Sequence, residues 1–153
     1  MKTLMVTGAL GHIGSKLIHT LKPGQYKEVR LIDDLSSQRY VSLFHLPKGT
    51  KFRFWEDSIL EEDLDSLFVG VDVVLHLAAI TDATNSFKNR EKVEAVNYEG
   101  TVKVAEICKK LCCPMIHISS TSVYGTQKEV IDEDCSPQDL KPQSPYAEIK
   151  LKE

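Results

Sequence analysis

The chain lacks any apolar run long enough to cross a bilayer. Its longest such run, around Val71–Ile80, is interrupted by Asp72 and His76, short of the ~18 residues a span needs. It also lacks an excess of positive charge: 19 Lys+Arg stand against 22 Asp+Glu, a formal net charge of −3. No electrostatic footprint for nucleic acid or for an anionic membrane surface follows from that balance. The opening stretch Met1–Gly8 is too short in apolar residues for a secretory signal. Cysteine is scarce and badly spaced for a metal. Cys108 and Cys112 are four apart, Cys112 and Cys113 are adjacent, Cys135 stands alone, and no C-x2-C pair or histidine cluster accompanies them. Space-filling reduced thiols are the better reading, and no metal site is expected. There is no internal repeat, low-complexity tract or interdomain linker. What remains is a soluble, cytoplasmic protein of 153 residues, 42% hydrophobic and 27% charged with mixed sign. That is one domain with a sizeable core, not a disordered polyelectrolyte.

Short apolar runs alternate with helical patterns along the chain. Strands are expected at Lys2–Thr7, Glu28–Asp33, Phe52–Trp55, Val71–Ala78 and Met115–Ser119, the fourth buried on both faces because it is nearly all apolar. Helical spacing appears at Ile13–Leu21 (Ile13, Leu17, Ile18, Leu21), weakly at Ser37–Leu46, at Leu60–Phe68 (Leu60, Leu64, Leu67, Phe68), and at Glu91–Leu111 (Val93, Val96, Val104, Ile107, Cys108 and Leu111 inward). Val130–Pro145, with three prolines and many acids, reads as a loop, and Tyr146–Lys152 as the start of another helix. Strands alternating with helices predict an α/β fold, a Rossmann-type doubly wound parallel sheet.

The first strand runs straight into Gly8-Ala9-Leu10-Gly11-His12-Ile13-Gly14, and a helix follows at once. Glycine at a strand-to-helix turn permits a tight bend and close approach of backbone to a pyrophosphate, which then sits on the N–H groups of the helix N-terminus. Nineteen residues after Gly14, at the end of the second strand, stand Asp33 and Asp34. An acid there suits the hydroxyls of an adenosine ribose and would repel a 2′-phosphate. No Arg or Lys immediately follows, since Leu35-Ser36-Ser37 come next. The pattern therefore favours NAD(H) over NADP(H). A solvated Asp-Asp turn is the competing reading.

Tyr146 and Lys150 are four apart on a predicted helix and so share a face. A free phenol ionises near ~10, and using one as a base near neutral pH requires about 4 kcal/mol of stabilisation for the phenolate. A neighbouring ammonium is the direct way to provide it. The run Ser119-Ser120-Thr121-Ser122-Val123-Tyr124-Gly125 lies at the carboxyl end of the fifth strand, where open α/β sheets bind ligands. Taken alone, that run could equally cap local backbone with its hydroxyls. His76-Leu77-Ala78-Ala79 closes the fourth strand with small residues, and Asn97-Tyr98-Glu99-Gly100-Thr101 puts an amide and a glycine early in the long helix.

The spacing of Gly8, Gly11 and Gly14, together with those four segments and Pro142-Gln143-Ser144-Pro145-Tyr146, resembles the extended short-chain dehydrogenase/reductases. Within them it is most similar to the NAD-dependent epimerase/dehydratase family, in particular its UDP-glucose 4-epimerase branch. The resemblance spans essentially the whole chain. It implies that Gly8, Gly11, His12, Ile13 and Gly14 contact the pyrophosphate; that Asp33, Asp34 and Leu35 hold the adenosine ribose; and that Asp57 and Ser58 meet the adenine. It further implies that Leu77, Ala78, Ala79 and Thr81 line the path to the nicotinamide with Asn97 nearby, and that Ser120, Tyr146 and Lys150 are catalytic. Ala147 and Ile149 depart from the Gly and Ser the family prefers between its Tyr and Lys.

The implied reaction is transient oxidation of a nucleotide sugar, a UDP-sugar in the first instance. Tyr146 takes the C4 hydroxyl proton while hydride passes to nicotinamide, Ser120 hydrogen-bonds the same oxygen, and Lys150 holds the nicotinamide ribose and keeps Tyr146 ionisable. Dehydratases of the family carry an Asp-Glu pair where this chain has Thr121-Ser122, so epimerisation is expected rather than loss of water. An NAD-dependent reductase or dehydrogenase of the same superfamily, or a non-catalytic NAD-binding regulator, are the alternatives. The resemblance also leads one to expect a C-terminal substrate lobe beyond these residues, and a homodimer for the full-length protein.

Overall fold

The computed structural model describes residues 2–127 and 130–153. They pack as two compact units, one made of residues through Ala78 with Val102–Ile118, the other of Ala79–Thr101 with Ser119–Glu153.

The first unit is built on a five-stranded, all-parallel sheet in the order β3-β2-β1-β4-β5, with β1 Thr3–Thr7, β2 Glu28–Asp33, β3 Lys51–Glu56, β4 Val73–His76 and β5 Met115–His117. Sequential strands β1, β2 and β3 grow outward on one side of β1, and the chain then returns to place β4 on the other side. The reversal leaves a crevice at the carboxyl ends of β1 and β4, the position where such sheets bind ligands. Every residue of β1 is buried, as a strand covered on both faces requires. Leu4, Val6, Val29 and Leu31 pack with Ile18 and Leu21 at the end of helix α1 (His12–Thr20). Met5 and Ile32, of opposite parity, are buried as well. Burying each such side chain stabilises the fold by about 1.5–3 kcal/mol. At the outer edge, β3 alternates exposed Lys51 and Arg53 with half-buried Phe52 and Phe54. Its two cations reach Glu28 on β2, 3.3 and 3.4 Å away, alongside Arg30 at 2.8 Å. Arg30 also donates to the carbonyls of Leu67 and Val69 and so closes the end of α2 (Asp65–Phe68).

The segments after β2, β3 and β4 differ from the sequence pattern in instructive ways. Ser37–Leu46 forms no α-helix, only a 3-10 turn at Tyr40–Leu43. Leu35, Gln38 and His45 adopt left-handed backbone angles that no helix tolerates. Only the last part of Leu60–Phe68 is helical, because Asp57 and Ser58 accept hydrogen bonds from the N–H groups of Ser58 and Leu60 and hold the chain in turns. Ile13, Leu60 and Leu111 are exposed rather than inward. β4 is shorter than Val71–Ala78, with Val74 and His76 buried and Val73 and Leu75 only half-buried. The long helical stretch runs from Arg90 to Lys110 as α3 (Arg90–Val93), a π-turn (Glu94–Glu99) and α4 (Gly100–Lys110). Cys108 and Cys113 are buried and free and fill space as expected, and burial pushes the Cys108 thiol up to about 11, whereas Cys112 is exposed and Cys135 half-buried. Among the described residues no group of His, Cys, Asp and Glu is arranged to hold a metal ion, and no helix is long and apolar enough to cross a membrane.

In the second unit, α5 (Pro145–Lys152) packs on α3, on the π-turn and on the 3-10 turn Thr121–Tyr124. Ser144 caps α5 by accepting from the Ala147 N–H at 3.1 Å, and Pro145 occupies its first position, where the missing N–H costs nothing.

Candidate functional site

In the first unit the exits of four strands are stitched together around the glycine turn. Gly8 ends β1 with φ +62°, and a Cβ there would stand 2.5 Å from the Ala78 nitrogen, so only glycine lets the β1 and β4 exits approach this closely. A Cβ on Gly14 would meet the carbonyl oxygens of Ala9 and Gly8 at 2.5 and 2.6 Å. Those two glycines are demanded by the protein itself. Gly11 is not: its φ is −63° and an added Cβ would touch only the Gly8 oxygen, at 3.3 Å. No side chain caps the start of α1, which leaves the first N–H groups of the helix, from His12 onward, without the partner that a cap would give. Ile13 sits beside them, 59% exposed.

Asp33 is buried at the end of β2 and bridges two loops. Its Oδ2 accepts from the Leu10 N–H in the glycine turn at 2.9 Å, and its Oδ1 from the Leu35 N–H at 3.0 Å. Asp34 is exposed and accepts from the Ser36 N–H at 2.9 Å, so the local turn and an outward-facing carboxylate are both present. Leu35 takes φ +55°. The Asp57 N–H donates to the Asp33 carbonyl at 3.1 Å and aligns the β3 exit, with Ser58, alongside that of β2. On the other side, the Thr7 hydroxyl accepts from the N–H groups of Leu77 and Ala78 and lies 2.7 Å from His76 Nδ1. His76 stacks on His117 with ring centroids 5.7 Å apart.

The second unit carries the hydroxyl, phenol and ammonium. Ser120 precedes the Thr121–Tyr124 turn; its Oγ accepts from the Ser122 N–H at 3.2 Å and lies 2.7 Å from Ser122 Oγ. The hydroxyl therefore does cap local backbone, yet it keeps a lone pair or its proton for a second partner. That turn packs on α5, which holds Tyr146 half-buried and Lys150 buried one turn later. Lys150 Nζ donates to Glu153 Oε2 at 2.6 Å, both side chains almost wholly enclosed. The Tyr146 N–H donates to the hydroxyl of Ser86, itself buried and bonded to the Ala83 carbonyl at 2.6 Å. Asn97, fully buried on the π-turn, clamps one peptide group: its Oδ1 accepts from the Ile80 N–H at 2.8 Å and its Nδ2 donates to the Ile80 carbonyl at 3.0 Å. It fixes the backbone between Ala79 and the exposed Thr81. The π-turn gives the extra backbone slack that such side-chain placements use. Neither the Ser86 bond nor the Asn97 clamp has a local sequence signal, because their partners lie 60 and 17 residues away.

A parallel sheet with a switch point between β1 and β4, a glycine turn at that point and an acid ending β2 define a dinucleotide-binding α/β protein. The chain belongs to the NAD dependent epimerase/dehydratase family, whose model matches residues 4–152. It is 37% identical over 155 residues to a UDP-glucose 4-epimerase of Mycolicibacterium smegmatis, covering 99% of this chain and 48% of that protein. It is 34% identical to the uncharacterized UDP-glucose epimerase YtcB of Bacillus subtilis, covering 97% and 48%. Among solved structures it superposes on UDP-glucuronic acid 4-epimerase from Bacillus cereus, in complex with UDP-glucuronic acid and NAD, with a TM-score of 0.86 and 34% identity over 97% of this chain and 49% of that one. The chain thus spans about half the length of the relatives it matches.

Proposed function

We propose that these residues are the NAD-binding and proton-transferring part of a nucleotide-sugar 4-epimerase acting on a UDP-sugar, with substrate recognition completed by sequence outside them. The observation that carries the reading is the pairing of Tyr146 and Lys150 on α5 beside a hydroxyl pair, Ser120 and Ser122, that includes no carboxyl group. Loss of water from a sugar needs an additional acid and base, and Thr121 and Ser122 provide neither.

The glycine turn fits a dinucleotide. Its helix starts uncapped, a Cβ at Gly11 would meet nothing but the Gly8 carbonyl oxygen, and Asp34 presents a carboxylate beyond the β2 exit. On this reading Gly8, Gly11, His12, Ile13 and Gly14 hold the pyrophosphate, Asp33, Asp34 and Leu35 the ribose, Asp57 and Ser58 the adenine. Leu77, Ala78, Ala79 and Thr81 line the nicotinamide side, and Asn97 acts by fixing their backbone. NAD, when bound, supplies two-electron oxidation at a carbinol carbon and its reversal.

The chain's own residues handle the proton. Tyr146 Oη accepts it from the C4 hydroxyl, and Ser120 Oγ donates a hydrogen bond to the same sugar oxygen. The Lys150 ammonium, one turn from Tyr146 on α5, is the cation that would hold a ribose hydroxyl and stabilise the phenolate. Return of the proton from Tyr146 after the sugar presents its other face completes epimerisation without net oxidation. The test is Tyr146→Phe in the protein that carries this chain: interconversion of the two C4 epimers should fall by at least ~10³-fold, as loss of an acid–base residue dictates, while bound NAD is retained. Undiminished interconversion would refute the mechanism. Stoichiometric consumption of added NADH would identify a reductase instead.

A further inference from the structure

We propose that Arg39 is a side-chain anchor for the pyrophosphate of the dinucleotide, an inference that rests on the cofactor reading above and adds a residue to it. Arg39 stands six residues past the β2 exit, just before the Tyr40–Leu43 turn. That turn is pinned from two sides. His19 on α1 hydrogen-bonds the Ser42 carbonyl at 2.8 Å, and the Tyr40 ring meets Phe54 of β3 edge-on at 6.2 Å. The backbone of Arg39 is therefore held next to α1, and its guanidinium reaches back to the side chain of the helix's first residue. Arg39 Nη2 lies 3.0 Å from His12 Nε2, on the first residue of α1.

This is a poor place for a cation. A helix N-terminus already carries about half a positive charge, and cations are disfavoured there. Arg30, Arg53 and Arg90 each have a carboxylate within ion-pair distance. Arg39 has none among the described residues, and the buried Asp33 carboxylate is bonded to the N–H groups of Leu10 and Leu35. A guanidinium bonded to the ring nitrogen of the first helical residue, on a helix that starts without a side-chain cap, can hold an anion jointly with that helix start. Two phosphate groups could be that anion. The adenosine 2′-phosphate of NADP would have to sit against Asp33 and Asp34, whereas the guanidinium is bonded to the side chain of the first residue of α1, the helix end at which a pyrophosphate binds. A planar guanidinium that releases His12 can take two pyrophosphate oxygens at once.

The experiment measures binding by calorimetry to the full chain, wild type against Arg39→Gln and Arg39→Lys, with NAD⁺, ADP, adenosine and NADP⁺ as probes. Arg39→Gln should weaken NAD⁺ and ADP about tenfold, the loss of one charged hydrogen-bonding partner, leave adenosine unchanged, and leave the melting temperature unchanged. Arg39→Lys should recover part of the loss. Equal NAD⁺ affinity of wild type and Arg39→Gln would overturn the role of Arg39 and leave the dinucleotide reading standing. A similar loss for adenosine would overturn it too, since adenosine has no phosphate. Preference of the wild type for NADP⁺, abolished in Arg39→Gln, would move the guanidinium to the 2′-phosphate and overturn the assignment. A wild type that binds neither dinucleotide would bring down the cofactor reading, and this inference with it.

Discussion

Gly8 and Gly11 lie three residues apart in one turn, and their replacement by alanine should have opposite consequences. In Gly8→Ala the backbone angle of +62° puts an L-residue in the left-handed region, at about 1–2 kcal/mol. Its methyl would stand 2.5–2.7 Å from the Ala78 nitrogen and Cα and the Leu77 carbonyl carbon, about an ångström inside the ~3.5–4 Å at which such atoms rest. Because those are backbone atoms, relief requires the β1 and β4 exits to separate, an overpacking cost of about 1–3 kcal/mol. The total of roughly 2–5 kcal/mol corresponds to a melting temperature lower by about 5–15 °C for a domain of this size. Gly11→Ala meets a single oxygen at 3.3 Å with an ordinary φ, so stability should change by less than ~1 kcal/mol. Its methyl instead projects into the space assigned to the pyrophosphate, and NAD⁺ affinity should drop at least about tenfold, or 1.4 kcal/mol. Thermal unfolding followed by circular dichroism, paired with NAD⁺ calorimetry, reads both effects. A Gly8→Ala protein melting within ~2 °C of wild type would refute the steric argument. A Gly11→Ala protein that binds NAD⁺ normally would refute the division of labour.

Two further outcomes follow from buried polar groups. The Arg30 hydrogen bond, with help from Lys51 and Arg53, holds the Glu28 carboxyl below the ordinary glutamate range against the opposing effect of burial. A depressed folded-state pKa contributes stability that is present above the unfolded value and lost as pH falls through the folded one. Glu28→Gln should cost about 1–2 kcal/mol at neutral pH and flatten the acid limb of a urea-unfolding series taken below about pH 4.5; an unchanged acid limb would show that Glu28 does not set it. Asn97→Asp keeps an acceptor for the Ile80 N–H but turns a second acceptor toward the Ile80 carbonyl, at about 2–3 kcal/mol. Hydrogen exchange at the Ile80 amide should stay slow in Asn97→Asp and become fast in Asn97→Ala; equal protection in both would show that the amide clamp is not what orders that segment.

The sequence was most informative where chemistry and local geometry coincide. β2 begins and ends where Glu28–Asp33 predicted, since apolar residues between a turn and an acid pair leave one register. The glycine turn, the Asp33 strand end and the Tyr146–Lys150 helix were readable because each depends on residues close in sequence. Segments whose conformation depends on distant partners were not. The helical spacing of Ser37–Leu46 could not reveal that three residues nearby turn left-handed, nor could Leu60 announce that Asp57 and Ser58 would hold its N-terminal side in turns. The bonds of the Asn97 amide to the Ile80 peptide, 17 residues earlier, likewise have no local signal. Only the fold could bring Arg39 over His12.

The carboxylate of Asp33, shared between the turn that follows β1 and the loop that follows β2, has a consequence for the kinetics of capture. Two loops joined by one buried, charge-assisted bridge do not fluctuate independently, so the glycine turn and the β2 exit are ordered as a unit when the chain folds. The entropy of arranging them is lost at that stage and not again when a dinucleotide arrives. On the proposed cofactor reading, association through this surface should proceed by collision with an ordered cradle and not by folding of loops around a ligand, and differences in affinity among nucleotides should emerge in their residence times.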